Sequence, residues 1–397
     1  MFKGKILLQK CWIILVIFLV ACTAEPSGKR SERVNTPSAA NHEAQHSKSK
    51  KEPVEKKAKE RNRYAGELEL PVVGATGYTS VPLELKALAK SDSETVETMK
   101  AGTGFEILKE VGEWWLIRQG SRTGWLPHQY CFINLPDVIP SIIYDNTNTY
   151  SSKFVSSGKG IPNISNRALY QGKAVNERLG KEEYIMPVLY KMSKKIHKAQ
   201  QHALSEGNSL KIYEAFRPFE VQQAVVNNLS ALAKRDRDVL AGINSGPWGI
   251  AWFITKGVSN HQMGYAIDVS LVKVNAKKEM PTGDYTVTTV TDYTEYDMPT
   301  PMHELSVAAA IFTAPVTSRS PTAWKNAKFT DSMKENEAAR KLQTYCTTAG
   351  LTPLASEWWH FNDLEAMNEI ASRSGEGKFV LKEVYSLSPE MSRVDEN

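Results

Sequence analysis

Two short clusters of the sequence combine residue types that can bind a metal ion and move a proton. The first reads SNHQMGYAID and contains His261 and Asp268, and the second reads EWWH and contains Glu357 and His360. A catalytic zinc site uses three nitrogen or oxygen ligands and keeps a fourth position open. His261, Asp268 and His360 are therefore predicted to bind zinc, with one ion per chain.

Glu357 is the predicted general base. It precedes His360 by three residues, and its carboxylate suits the removal of a proton from an attacking water. Gly264 allows the chain to reverse, so that His261 and Asp268 can converge. Glu357 and His360 would point to opposite faces of a regular strand. We therefore expect a bend or bulge to bring both of them to the metal.

Three motifs, in this order, resemble those of the zinc D-Ala-D-Ala peptidases. IYEAFRP is similar to their strand-ending YRP motif, SNHQMGYAID to SxHxxGxAxD, and SEWWHF to ExWH. The resemblance is closest to the D-alanyl-D-alanine dipeptidases of the VanX type, because Asp297 and Met298 also resemble their Asp-Met pair. Phe216 stands where a Tyr is common, and Glu214 stands where an Asp is common.

The resemblance implies catalytic roles for single residues. His261, Asp268 and His360 match the zinc ligands, and Glu357 matches the general base. Arg217 matches the arginine that stabilises the tetrahedral oxyanion, a task that suits a permanently charged group with fixed donors.

The resemblance also implies substrate contacts. Ser259 matches a contact to the substrate carboxylate, and Asp297 matches the carboxylate that receives the substrate ammonium. Tyr144 corresponds to a tyrosine near that ammonium. The segment 273–296, rich in Thr and Tyr, is expected to be an extension near the substrate end.

Hydrolysis of D-alanyl-D-alanine in cell-wall peptidoglycan metabolism is the first interpretation of this resemblance. A D,D-carboxypeptidase that trims the terminal D-Ala of stem peptides is an alternative, and so is a non-catalytic wall-binding lipoprotein. Glu357 and Arg217 argue against the latter, because binding alone needs neither a base nor an oxyanion donor. Other motifs fail, since His303 opens HELSV rather than HExxH and no phosphate-binding loop is present.

The elements around the motifs favour an α+β zinc peptidase domain at 137–397. Apolar spacing and turn residues predict mixed helices and strands without regular βαβ alternation. In chain order they are a helix opened by Pro187 and closed by Gly207, a strand at 209–217, a helix at 220–233, a buried strand at 266–272, a helix at 335–347 and a strand at 351–361.

A small all-β domain is predicted at 66–136. The runs FEILKEV, WWLIRQ and WLP alternate between apolar and polar residues and are separated by glycine-containing turns. Their order resembles bacterial SH3-like domains, with Trp114, Trp115 and Trp125 at characteristic positions. That resemblance implies a small barrel that binds the cell wall, although at least one of these tryptophans is expected to belong to its core.

The N-terminus has the features of an export signal at 1–21. Three lysines precede an apolar run that is too short to span a bilayer. The run ends in LVAC, which resembles the lipobox of bacterial lipoproteins and predicts lipid attachment at Cys22. The expected location is the cell envelope, on the extracytoplasmic side of the membrane. Residues 22–65, poor in apolar side chains, are predicted to be a disordered tether.

Composition and cysteine content narrow the remaining choices. The chain is 41% hydrophobic and 23% charged, which excludes a wholly disordered protein. Its net charge of +5 arises from the N-terminal segments, so nucleic acid is not a predicted partner. Cys131 and Cys346 could form a bridge in an oxidising space, but two buried thiols are the more frequent case.

Overall fold

The computed structural model describes residues 61–373, 375 and 377–387 of the 397-residue chain. The predicted signal peptide, the lipidation site at Cys22 and the tether up to residue 60 lie outside the described residues. All the described residues fall in one compact unit, so the predicted domain border at 136 stays a prediction. No helix in this part of the chain is both long and apolar enough to cross a membrane.

The first sheet contains the strands predicted in the 66–136 segment. Its eight strands form an open path, in the order Pro187–Leu189, Cys131–Asn134, Thr76–Thr79, Gly104–Val111, Trp114–Gln119, Arg122–Pro127, Leu83–Lys86 and Thr95–Met99. Because the path is open, the predicted SH3-like barrel is not confirmed. Trp115 is fully buried in the core, as expected for at least one of the tryptophans.

The second sheet carries the motif residues. Its order is Thr352–Leu354, Glu357–Asn362, Ala266–Thr282, Asn208–Glu214 and Ile143–Tyr144, with Tyr285–Glu295 also paired to Ala266–Thr282. Two small ladders join Val155–Ser156 with Lys159–Gly160, and Lys173–Asn176 with Lys181–Tyr184. Parallel pairing occurs between Asn208–Glu214 and Ile143–Tyr144, while the other pairs are antiparallel. Mixed sheets together with helices confirm the α+β class.

The helices cover these sheets through their apolar sides. The α-helices are Leu135–Val138, Tyr190–Ser205, Phe219–Ala233, Arg237–Ile243, Ile250–Phe253, Asp331–Glu335, Glu337–Thr348 and Leu364–Ile370. Short 3-10 turns lie at His128–Tyr130, Thr147–Thr149, Val307–Ala309, Ala323–Asn326 and Ala371–Arg373. Met192, Ile196 and Ala199 recur at helical spacing and are fully buried, so one side of this helix contributes to the hydrophobic core.

The prediction that Pro187 opens the long helix is wrong. Pro187–Leu189 is a strand that pairs with Cys131–Asn134, and the helix begins at Tyr190. A proline has no N–H group to donate to a sheet, so within sheets it is tolerated on an edge strand such as this one. Cys131 and Cys346 are both free and buried.

The segment 273–296 forms most of a long hairpin. Its strands, Ala266–Thr282 and Tyr285–Glu295, extend beyond the sheet. At its tip Tyr285 bridges to Asn62, and Nη2 of Arg63 lies 2.6 Å from Oε1 of Glu279. The last residues of the predicted tether are therefore in contact with the hairpin.

Candidate metal centre and active site

A tight turn brings His261 to the sheet. Gly264 has a φ of +76°, and a Cβ atom there would lie 2.2 Å from the ring of Phe132. Only glycine fits this combination of a left-handed backbone and close packing. The turn feeds directly into the strand that carries Asp268, which pairs with His360 on the next strand.

The three predicted ligands converge. Nε2 of His261 lies 3.3 Å from Oδ1 of Asp268 and 3.2 Å from Nδ1 of His360, and the latter two atoms are 3.0 Å apart. Zinc–ligand bonds of about 2.0–2.1 Å place neighbouring ligands of a tetrahedral site about 3.3 Å apart. The three atoms therefore match one face of a zinc tetrahedron.

The far nitrogen of each imidazole is held by a hydrogen bond. Nδ1–H of His261 donates to the carbonyl of Ala215 at 2.8 Å, and Nε2–H of His360 donates to Oδ1 of Asn362 at 3.0 Å. These bonds leave Nε2 of His261 and Nδ1 of His360 to face the metal, as is usual for histidine ligands. Burial lowers the pKa of His261, which favours the neutral form that binds a metal.

The far oxygen of Asp268 is held as well. Oδ2 accepts hydrogen bonds from Nη2 of Arg217 and from Nε2 of His303, both at 3.1 Å. Burial opposes ionisation of Asp268, but its interactions with His261, His303 and His360 hold its pKa well below the usual range. The carboxylate is thus kept ionised, with Oδ1 directed toward the two ligand nitrogens.

His303 is the residue of this cluster that sequence reasoning missed. Its backbone has a φ of +63°, which is uncommon outside glycine. Its fully buried ring stacks on Phe154 with centroids 4.4 Å apart. The only sequence signal was the HELSV segment, which does not match a helical zinc motif and gives no indication of a contact with Asp268.

An irregularity in the last strand brings Glu357 beside His360. In the register, Pro353 pairs with Phe361 but the next residue, Leu354, pairs with Glu357. The register of this strand pair therefore shifts, and Oε2 of Glu357 lies 3.7 Å from Nδ1 of His360. This is the bulge that the spacing of the EWWH motif requires.

The environment of Glu357 suits proton transfer. Burial raises its pKa to about 8; the charge of Asp268 adds to this shift, while His360 and Arg217 oppose it. A general base or acid works best when its pKa lies near the working pH. Glu357 can therefore exchange a proton near neutrality.

Arg217 is buried and held by several acceptors. Nε donates to Glu214 at 2.8 Å, Nη2 donates to both Glu214 and Asp268, and Nη1 donates to Gln222 at 2.7 Å. Burial disfavours its charge, but the charges of Glu214 and Asp268 raise the pKa of the guanidinium overall. Glu214, Asp268 and His303 also lie close enough for a metal, yet Arg217 donates to both carboxylates and already supplies their positive partner.

A cavity of about 310 Å³ opens onto the ligands and Glu357. Ser259 lines it and is nearly buried, with Oγ accepting a hydrogen bond from the backbone N–H of Gln262 at 3.1 Å. The wall also includes Trp252 and the segment that follows it. Arg217, the ligands, Glu357 and Ser259 are therefore brought together as predicted.

Two predicted substrate residues do not line this cavity. Asp297 is exposed in a separate groove beside Met298 and Trp358. Tyr144 donates its hydroxyl to the carbonyl of Ile139 at 2.9 Å and is not among the residues that line the cavity. The 273–296 hairpin also contributes no residue to the cavity wall, because its strands run outward to the segment around Asn62.

Comparison with known protein families gives a match for part of the chain. Residues 188–296 match the model of VanY, D-alanyl-D-alanine carboxypeptidase. The predicted zinc metallopeptidase is confirmed. The matched segment includes Arg217, His261 and Asp268, and it ends before Glu357 and His360.

One solved structure is similar along most of its own length. It is a mutant of the vancomycin-resistance D,D-pentapeptidase VanY from a VanB-type resistance cassette, in complex with Zn(II). The two chains are 14% identical, with a TM-score of 0.23, and the alignment covers 61% of this chain and 98% of that one. No curated protein sequence matches the chain.

Proposed function

We propose that this protein is a D,D-carboxypeptidase that removes the terminal D-Ala from peptidoglycan stem peptides. The observation that carries the proposal is the set of carboxylates in the cavity, which among the described residues consists of Asp268 and Glu357. The first is a proposed ligand and the second the proposed base, so neither is left to pair with a free substrate ammonium. An acylated substrate has no such charge to satisfy, and burying an unpaired charge is costly.

The dipeptidase interpretation has less support. It requires a carboxylate beside the ammonium of free D-Ala-D-Ala, and Asp297 was the candidate for that role. Asp297 instead lies exposed in a different groove. The match to the carboxypeptidase family model over residues 188–296 also favours a stem-peptide substrate.

The proposed chemistry divides the work among the cavity residues. His261, Asp268 and His360 would hold the zinc ion, which when bound would supply a Lewis acid for the scissile carbonyl. Glu357 takes a proton from the attacking water and delivers it to the leaving amine. Arg217 has one N–H group without a partner among the described residues, and this group is the donor for the developing oxyanion.

The test is to measure D-alanine release by mass spectrometry with the full-length chain. The substrates are N-acetyl-D-Ala-D-Ala and free D-Ala-D-Ala, and the control is Glu357→Gln. We expect kcat/KM to be at least about tenfold higher for the acetylated substrate, a difference of about 1.4 kcal/mol. Preference for the free dipeptide, abolished in Asp297→Asn, would establish the dipeptidase. A wild type that releases no D-alanine would favour the non-catalytic wall-binding lipoprotein.

We further propose that the protein is anchored in the cell envelope through lipid on Cys22. The LVAC sequence supports this, and labelled fatty acid should enter the wild type but not Cys22→Ser. The absence of label in the wild type would refute the anchor.

The SH3-like interpretation of 66–136 is likewise a proposal, supported by the strand order FEILKEV, WWLIRQ and WLP. It predicts that the full chain sediments with purified peptidoglycan. Sedimentation should weaken when the half-buried Trp114 or Trp125 is replaced by Ala. Unchanged sedimentation of both variants would show that neither tryptophan contacts the cell wall.

A further inference from the structure

Positive charge in the cavity is confined to two side chains. Among the residues that line it, Arg217 and Arg319 alone carry a permanent charge. A substrate that ends in a free carboxylate brings a negative charge into the same space. The two arginines are therefore the candidates for its partner.

Arg217 has little left to offer a second carboxylate. Four of its five N–H groups already donate to Glu214, Asp268 and Gln222. Its charge is also balanced by two buried carboxylates within hydrogen-bond distance. A two-point contact with a further carboxylate would require breaking one of these bonds.

Arg319 is in the opposite situation. Its side chain is exposed, and its guanidinium has no hydrogen bond or ion pair with any other residue in the described part of the chain. It follows Ser318, which also lines the cavity, and its backbone N–H donates to Oγ1 of Thr317 at 3.3 Å. All five of its side-chain donors are available to a ligand.

Arg319 and Ser259 both line this cavity. The hydroxyl of Tyr265 donates to Oδ1 of Asn260 at 2.9 Å, and Asn260 lies next to Ser259 in the wall.

We propose that Arg319, together with Ser259, binds the C-terminal carboxylate of the substrate and so selects peptides with a free C-terminus. This inference rests on the proposed carboxypeptidase function. A guanidinium presents two parallel N–H groups that match the two oxygens of a carboxylate. Arg319 is a specificity residue in this account, while bond cleavage depends on the ligands and Glu357.

Binding is measured first, by calorimetry on zinc-loaded full-length Glu357→Gln, in which turnover is prevented. The ligands are N-acetyl-D-Ala-D-Ala, which has a single carboxylate, and its C-terminal amide. Adding Arg319→Ala should weaken binding of the acid by about 10–100-fold, as expected for loss of a charged hydrogen bond. Binding of the amide should not change.

Two matched variants sharpen this result. Arg319→Lys should recover part of the affinity, because it keeps the charge without the fork. Arg340→Ala removes an exposed arginine of the Glu337–Thr348 helix, outside the cavity wall, and should leave binding unchanged. Equal losses for acid and amide, or no loss for either, would overturn the inference.

Kinetics separate this inference from the proposed function. In the otherwise wild-type enzyme, Arg319→Ala should raise KM for the acid with little change in kcat. If both proteins release D-alanine with the same KM, the role of Arg319 is refuted and the proposed carboxypeptidase function stands. If no substrate is cleaved, the proposed function fails while the calorimetry still tests Arg319. A loss confined to stem peptides with an additional upstream carboxylate would assign Arg319 to that group instead and overturn the C-terminal contact.

Discussion

Asp268 and Asp137 are both buried carboxylates, yet their surroundings differ in one decisive respect. Asp137 is fully buried and accepts hydrogen bonds from the backbone N–H of Thr76, from Asn176 and from Ser386. Its two oxygens thereby connect four separate stretches of chain. No residue of the cavity donates to these two oxygens, so the role of Asp137 is structural.

Asp268 has the same degree of burial but only one oxygen committed to structure. Oδ2 is held by Arg217 and His303, while Oδ1 faces the two imidazole nitrogens at the cavity floor. Burial raises the pKa of Asp137, whereas the surrounding donors and imidazoles lower that of Asp268. A buried carboxylate is therefore a candidate ligand when its free lone pairs converge with those of other side chains, and burial alone does not distinguish the two cases.

The largest expected difference between the two sites is in zinc affinity. Asp268→Asn should weaken zinc binding by roughly 10²–10³-fold, because one ligand accounts for about 3 kcal/mol of a typical site. Asp137→Asn should leave the affinity unchanged. Competition with a chromophoric chelator measures both, and equal losses in the two variants would remove the distinction drawn here.

A smaller effect is expected when the support of Asp268 is removed. The substitution His303→Asn introduces a residue that also tolerates a positive φ, but it removes the imidazole that donates to Oδ2 of Asp268. Zinc affinity should fall about 10–100-fold, as is usual for residues that orient a metal ligand. The free energy of unfolding of the zinc-free protein should change by less than the free energy of zinc binding. The matched control is His202→Asn on the Tyr190–Ser205 helix, which should retain affinity. Unaltered zinc binding in His303→Asn would mean that Arg217 alone orients Asp268.

Loss of the structural carboxylate should appear in stability instead. Asp137→Ala leaves the buried donors of Thr76 and Asn176 without an acceptor, at a cost of about 1–3 kcal/mol for each. Urea unfolding monitored by tryptophan fluorescence measures this change. Asp137→Ala with wild-type stability would show that solvent or other groups replace the carboxylate.

Site residues could be predicted from the sequence where they lie together in short motifs. The ligands, Glu357 and Arg217 lie in short motifs whose spacing reflects a turn and two strand ends, so they could be predicted. His303 could not, because it reaches Asp268 from an irregular segment with a left-handed backbone and no periodic pattern. Asp297 was predicted from a dipeptide alone, and the long hairpin before it leads the chain to a different groove.

The fold shows the same division. Periodicity identified the strands around Trp115 and the helix through Met192, since each buries one face. It failed at Pro187, because a proline before an apolar helical pattern fits either a helix start or an edge strand. The pairing of Pro187–Leu189 with Cys131–Asn134 is a long-range contact that local pattern does not encode.

The smallest predicted effect is the pH dependence contributed by Asp137. Because its pKa is higher in the folded state than its ordinary value of 3.8, the folded protein binds more protons over that interval. Its contribution to stability is present below about pH 3.8 and is lost as pH rises through the folded pKa. Asp137→Asn should remove this slope in urea midpoints measured from acid upward. An identical slope in wild type and variant would assign the titration to other groups.

The central claim is that His261, Asp268 and His360 hold one zinc ion beside Glu357 for peptide hydrolysis. The most direct test measures zinc by mass spectrometry and D-alanine release from N-acetyl-D-Ala-D-Ala on the same preparations. Wild type should contain about one zinc per chain and release D-alanine, and Glu357→Gln should keep the zinc but lose activity by about 10²–10⁴-fold. A Glu357→Gln protein that retains full activity, or a wild type that is active without zinc, would contradict the account.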